Sequence, residues 1–135
     1  MIYEEKNTLS KEVCNDMISW FENKITSGDY GHNYMNVSNE VREDTSISNC
    51  DQFGSFNPFC NKLNSVIHEH VKKYLKEWGA GRGHYIITGY KFQKSTEGGG
   101  FTTWHSELPI FSSKWTEFRE RFGVWTFYLN DTDTG

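Results

Sequence analysis

The sequence predicts an α+β chain, helices first and strands after. Three observations carry this. Two segments in the first 80 residues repeat apolar side chains at helical spacing. From Gly81 onward the period falls to two, with β-branched and aromatic residues enriched. No long helical segment separates the later strands, which argues against a doubly wound parallel sheet and for a mixed fold or a β-sandwich with helical supports.

The first helix opens at Ser10, a side chain suited to capping, with Glu12 in the first turn where the positive helix end favours it. Val13, Cys14, Met17, Ile18 and Phe21 share one face, and Gly28 ends the segment. Residues 29–57 are rich in Asn, Ser, Asp and Gly and hold no lasting period, so they read as a polar loop or irregular strands. The second helix is signalled by Asn57 as a cap and Pro58 at the first helical position. Phe59, Leu63, Val66, Ile67, Tyr74, Leu75 and Trp78 form its stripe, with Gly79 as the stop. Tyr85–Gln93 reads as a strand, Glu97–Gly100 as a turn, and Phe101–Glu107 as a second strand. Ser112–Arg121 reads as a loop with a short helix, and Phe122–Asn130 as a third strand.

The chain has 135 residues, a length that fits a single domain. Its formal net charge is −4 and no Lys/Arg block occurs, so the footprint of a general nucleic-acid binder is missing. No apolar run approaches the roughly 20 residues that span a bilayer, and the N-terminal residues lack a signal-peptide pattern. The expectation is a cytoplasmic protein without membrane or nucleic-acid partners. Aromatic residues make up 16% of the chain, with 10 Phe, 7 Tyr and 5 Trp, enough to build a core from few large side chains. Cys14, Cys50 and Cys60 are odd in number and form no C-x-x-C, so neither a disulfide scaffold nor a zinc ribbon is indicated.

Two histidine motifs compete for attention. His68-Glu69-His70 falls in the second helix, where residues i and i+2 point about 200° apart; it reads as solvated or core-edge imidazoles. Trp104-His105-Ser106-Glu107 falls in a strand, where i and i+2 share a side. His105 and Glu107 therefore converge, an imidazole nitrogen and a carboxylate oxygen that suit a divalent metal. They supply two-thirds of a 2-His-1-carboxylate facial triad. The alternative is a hydrogen-bonded pair without a metal.

The Gly98-Gly99-Gly100 turn leading into Trp104-His105-Ser106-Glu107, followed by Arg121-Phe122-Gly123-Val124-Trp125-Thr126-Phe127-Tyr128-Leu129-Asn130-Asp131, resembles the prolyl 4-hydroxylase-like branch of the 2-oxoglutarate/Fe(II)-dependent dioxygenases. Leu9–Cys14 and Pro58–Trp78 look like that family's helical supports. The resemblance implies a double-stranded β-helix, or jelly roll, with residues 1–80 as helical support and polar loop and 81–135 as its first strands. It implies His105 and Glu107 as iron ligands and Tyr128 as a hydrogen-bond donor to the distal carboxylate of 2-oxoglutarate. Arg121 matches an Arg near the substrate entrance and fits a barrel-rim ion pair equally well. Arg42 and Asp44, in the polar segment, would help to form the substrate mouth.

The cofactor implied is Fe(II), with 2-oxoglutarate and O2 as cosubstrates and ascorbate as an accompanying reductant. The hydroxylation substrate, peptide or small molecule, stays open. In this branch a Tyr often stands about ten residues before the ligand His; Ser95 occupies that place here. The distal His and the Lys or Arg that pairs with 2-oxoglutarate have no counterpart among the 135 residues. The expectation is thus the front portion of a dioxygenase, inactive by itself. A split enzyme and a non-catalytic jelly-roll binding module are the alternatives.

Overall fold

In a computed structural model, residues 3–29, 34–38, 42–48, 58–77, 87, 90–101 and 123–131 are described. They form a mixed helix-and-strand fold with two helices and four short strands. Helix α1 spans Lys11–Ser27 and helix α2 spans Cys60–Glu77. The strands are β1 (Tyr34–Ser38), β2 (Arg42–Ser48), β3 (Lys91–Lys94) and β4 (Gly100–Phe101).

Helix α1 begins and ends where its sequence signals stand. Ser10 is extended at φ −71°, ψ 153°, and its hydroxyl accepts a hydrogen bond from the Val13 amide at 3.3 Å. One of the orphan amides of the first turn is thereby satisfied. At the other end Gly28 adopts the left-handed conformation, φ 70°, and its N–H bonds to the Ile25 carbonyl. Lys24 pairs with Asp29 just past this cap. Met17 and Phe21 are the buried pair of the helix, flanked by the partly buried Val13, Trp20 and Ile25.

Helix α2 starts later than its sequence suggests. Pro58 and Phe59 form a turn, and the Phe59 carbonyl accepts the first helical bond, from the Leu63 amide at 2.9 Å. Proline therefore sits one position ahead of the cap instead of at the first helical residue. Cys60, Leu63, Ile67, Val71 and Tyr74 are buried, spaced by three or four residues. Cys60 and Val71 belong to this face although the sequence stripe omits them, while Val66 and Leu75 are its half-buried flank. Asn57, Trp78 and Gly79 lie outside the described residues.

The polar segment that reads as a loop or irregular strands holds the centre of the sheet. Strand β2 pairs antiparallel with β1, with Tyr34 opposite Ile47 and Ser38 opposite Glu43. On its other edge it pairs antiparallel with β3, Ile47 opposite Phe92 and Thr45 opposite Lys94. Strand β4 uses that same edge further along, with Glu43 opposite Gly100 and Arg42 opposite Phe101. Residues 95–99 thus leave the sheet opposite a single residue, Asp44. The excursion turns at Gly98, φ 73°, and closes with a 2.8 Å bond from the Gly99 amide to the Thr96 carbonyl. Among the described residues the sheet is open and forms no closed barrel.

Ile47 and Phe92 face the helices as a cross-strand pair and form one buried cluster with Met17, Phe21 and Leu63. Phe92 meets Trp20 at 5.1 Å and Phe21 at 6.5 Å between ring centroids. Trp20 also meets Phe59 edge-on at 6.2 Å.

Of the strand expected over Tyr85–Gln93, Lys91–Gln93 fall in β3, and residues 85, 86, 88 and 89 lie outside the described residues. Tyr90 donates its hydroxyl to Asn64 Oδ1 of α2 at 2.5 Å. One strand expectation is corrected. The strand expected over Phe122–Asn130 is an extended segment that forms no ladder with the described strands. Its burial still alternates: Trp125, Phe127 and Leu129 are half-buried, whereas Val124, Thr126 and Tyr128 are exposed. Phe127 and Leu129 pack on the central cluster. The loop with a short helix expected over Ser112–Arg121, and all but the first residue of the strand expected over Phe101–Glu107, lie outside the described residues.

Replacing Phe92 by Ala removes the aromatic centre of the cluster and should cost about 3 kcal/mol or more. Urea denaturation is the check: the midpoint falls with an unchanged slope. Ser10→Ala should cost about 1 kcal/mol by loss of the cap. Gly28→Ala should cost about 1 kcal/mol. Among the described residues outside its chain neighbours, no atom lies within 4 Å of the position its Cβ would take, so that loss reports backbone conformation.

Candidate functional site

Alternation along β2 divides its side chains between two environments. Ile47 faces the helices. Arg42, Asp44 and Ser46 share the opposite parity. On that face Asp44 is 3% exposed and Ser46 1%. Buried carboxylates are rare in proteins, and a buried polar pair on one strand face is an unusual feature in a sheet this small. The Ser46 hydroxyl has no hydrogen-bond partner among the described residues. The excursion at 95–99 sits directly opposite Asp44.

Of the residues that the sequence nominates, Asp44 is a member of this face, and Arg42 is the first residue of the same strand, with Phe101 opposite it in the register. They stand in a regular central strand, not in a solvated loop. Tyr128 is in the extended segment and is 88% exposed. Its neighbours Phe127 and Leu129 point to the core, so Tyr128 points away from it. Nothing in the described residues joins Tyr128 to Asp44, whose surroundings are the reverse. His105, Glu107 and Arg121 lie outside the described residues. Ser46 is the member of the polar face that sequence reasoning omits. The signal available was its spacing of two from Asp44 and four from Arg42, which becomes meaningful only once residues 42–48 are known to be a strand.

The competing histidine motif behaves as helix geometry requires. His68 is exposed, and His70 is half-buried with its ring tilted against Tyr74 at 6.1 Å. Among the described residues no group of three or more His, Cys, Asp or Glu side chains could hold a metal ion. No described helix is long and apolar enough to cross a membrane. Cys14 is half-buried and Cys60 buried, and neither forms a disulfide among the described residues.

The titrating groups that depart from ordinary behaviour sit elsewhere, where residues 3–5 meet α2. The Lys73 ammonium bonded to Glu5 holds that carboxyl below the usual carboxylate range. The same bond raises Lys73. Loss of hydration pushes the Tyr74 phenol up, reinforced by the Glu5 charge.

No family model, no curated protein and no solved structure matches this chain. Its chemistry is therefore read from its own residues.

Ser46→Ala tests the polar face. Removing a buried hydroxyl that has no partner should leave stability within about 1 kcal/mol of the parent or raise it, because the desolvation cost disappears with the group. Chemical denaturation measures this. A loss above about 2 kcal/mol would show that the hydroxyl makes a buried hydrogen bond.

Proposed function

We propose that this chain carries part of the metal and cosubstrate site of an Fe(II)- and 2-oxoglutarate-dependent dioxygenase, a hydroxylase of the prolyl 4-hydroxylase-like type built on a jelly roll. The observation that carries the reading is the ordered pair of motifs, Trp104-His105-Ser106-Glu107 followed by Arg121 and Tyr128-Leu129-Asn130-Asp131. Two features of the fold support it. Both helices contribute to a core against one side of an antiparallel sheet, which leaves the other side available for polar side chains. Tyr128 projects off the core-packed side of its segment, where a phenol can meet a ligand.

The donor set fits the proposed metal. A neutral imidazole of His105 and the Glu107 carboxylate are the nitrogen and oxygen donors that non-haem Fe(II) takes. Bound there, Fe(II) with 2-oxoglutarate and O2 supplies the oxidising power for hydroxylating a C–H bond. The residues of this chain do the holding and orienting. His105 must be deprotonated to ligate, so metal affinity falls as pH drops through the imidazole range. Tyr128 donates its O–H to a carboxylate that can only accept. Arg121 and Arg42 offer fixed positive charge towards an anionic or carbonyl-bearing substrate, and Asp44 an acceptor.

Titration of the pure protein with Mn(II), an EPR-visible stand-in for Fe(II), tests the reading. His105→Ala or Glu107→Ala should weaken binding about tenfold or more, the loss of one ligand from an already small set. Tyr128→Phe should leave metal binding intact and weaken 2-oxoglutarate several-fold in the metal-loaded protein, the loss of one hydrogen bond to a charged group. Paramagnetic broadening centred on His68 and His70, indifferent to His105→Ala, would overturn the assignment.

A further inference from the structure

Residues 3–9 run back from α1 over the second half of α2, and three contacts of different physical kinds fasten them. The Tyr3 ring stacks on the Tyr74 ring at 4.0 Å, with 29° between planes. The Tyr3 hydroxyl donates to Glu77 Oε2 at 3.0 Å. Glu5 pairs with Lys73 and accepts a second bond from the Tyr74 hydroxyl at 3.4 Å, both on Oε1. Lys73 also stands 5.6 Å from the centre of the Tyr74 ring. Asn7 supplies the reversal, at φ 60°, a conformation that asparagine tolerates better than most side chains.

These contacts land on residues 73–77 of α2, and Tyr74 takes part in the stacking and in one of the hydrogen bonds. Residues 3–7 are otherwise exposed, whereas Tyr74 beneath them is 5% exposed. Residues 3–6 are thus fastened to the end of α2 and cover the Tyr74 ring, whereas Leu9, beyond Asn7, packs on the central cluster. Isolated exposed ion pairs contribute little. Here a single carboxylate oxygen serves both the ammonium and the phenol, so fixing Glu5 once orders two bonds, and the stacked rings restrict the same residues.

We infer that residues 3–6 form a charge-latched strap that closes over Tyr74 and opens as a unit while Leu9, α1, α2 and the sheet stay in place. The latch is the Glu5–Lys73 pair, and the hinge is Asn7. Opening uncovers the Tyr74 ring beside His70, an aromatic face on an otherwise folded helix.

The charged and titratable groups around the latch are Glu4, Lys6 and Tyr3 on the strap, and His70, Lys73, Tyr74 and Glu77 on α2. Glu4 and Lys6 pair with each other at 3.8 Å. Glu5 titrates below its ordinary range, so the latch is intact above that range and is lost as pH falls through the lowered value. Lys73 and Tyr74 titrate above their ordinary ranges, so their share persists below those ranges and is lost as pH rises through the raised values. The strap therefore stays closed across neutral pH.

Backbone amide exchange and 15N relaxation on the 135-residue protein test this. Glu5→Gln and Lys73→Met should each raise exchange at residues 4–6 about two- to fivefold, the scale of an exposed charge pair. The double variant should add nothing further, because either change already breaks the latch. The exchanged pair, Glu5→Lys with Lys73→Glu, should restore protection. Throughout, amides of Met17, Phe21, Leu63 and Ile67 should keep their protection. Additive effects, failure of the exchanged pair to restore protection, or loss of protection in α1 and α2 together with the strap would each overturn the inference.

Discussion

The structure depends on one cross-strand contact, Ile47 against Phe92. It is the point where the sheet acquires a hydrophobic side: two adjacent strands each turn one large apolar residue towards the helices, and Met17, Phe21 and Leu63 close over them. Helix α1 alone is only moderately amphipathic, and the sheet is short. Neither has enough apolar area to be stable by itself, and short helices and short ribbons are marginal in water. Burial of this shared cluster couples them. The 2-residue period of β2 then has a second effect. Once Ile47 is committed to the helices, Asp44 and Ser46 are committed to the other side. The core thereby sets which side of β2 carries its buried polar members.

The caps explain why the helices lie where they do. Ser10 and Gly28 fix the ends of α1 by local bonds that need no tertiary partner. These were legible in the sequence because capping chemistry is carried by one or two residues. The helical faces were legible in part. Met17, Phe21, Leu63, Ile67 and Tyr74 follow from spacing, while Val71 and Cys60 fall on the same face between Lys, His and Asn neighbours that dilute the pattern.

Strand β2 shows where sequence patterning stops. Its residues, Arg-Glu-Asp-Thr-Ser-Ile-Ser, have one strongly apolar member. Their composition is that of a solvated loop. Two neighbouring strands and a packed core turn it into a central strand with a buried carboxylate, and both are non-local facts that no window along the chain contains. The candidate site shares this limit. Its motifs are legible as spacing, His105 with Glu107 and Tyr128 between two core-facing residues. Whether Asp44 and Ser46 stand on the same side depends on register, which only pairing partners reveal. The extended segment 123–131 makes the complementary point: its alternation is correctly legible as burial, yet alternation alone does not say that a ladder accompanies it.

The excursion opposite Asp44 has a bearing on how such a chain tolerates change. Strands β3 and β4 both take their register from β2, on either side of Asp44, and not from each other. Residues gained or lost between Lys94 and Gly100 alter the length of a surface loop while both pairings stay in phase. The part of the chain that begins at Gly100 is therefore insulated from the part that ends at Lys94. Length variation accumulates most cheaply at this spot, and the loop at Asp44 can be remodelled without disturbing the Ile47–Phe92 contact on the other side of the sheet.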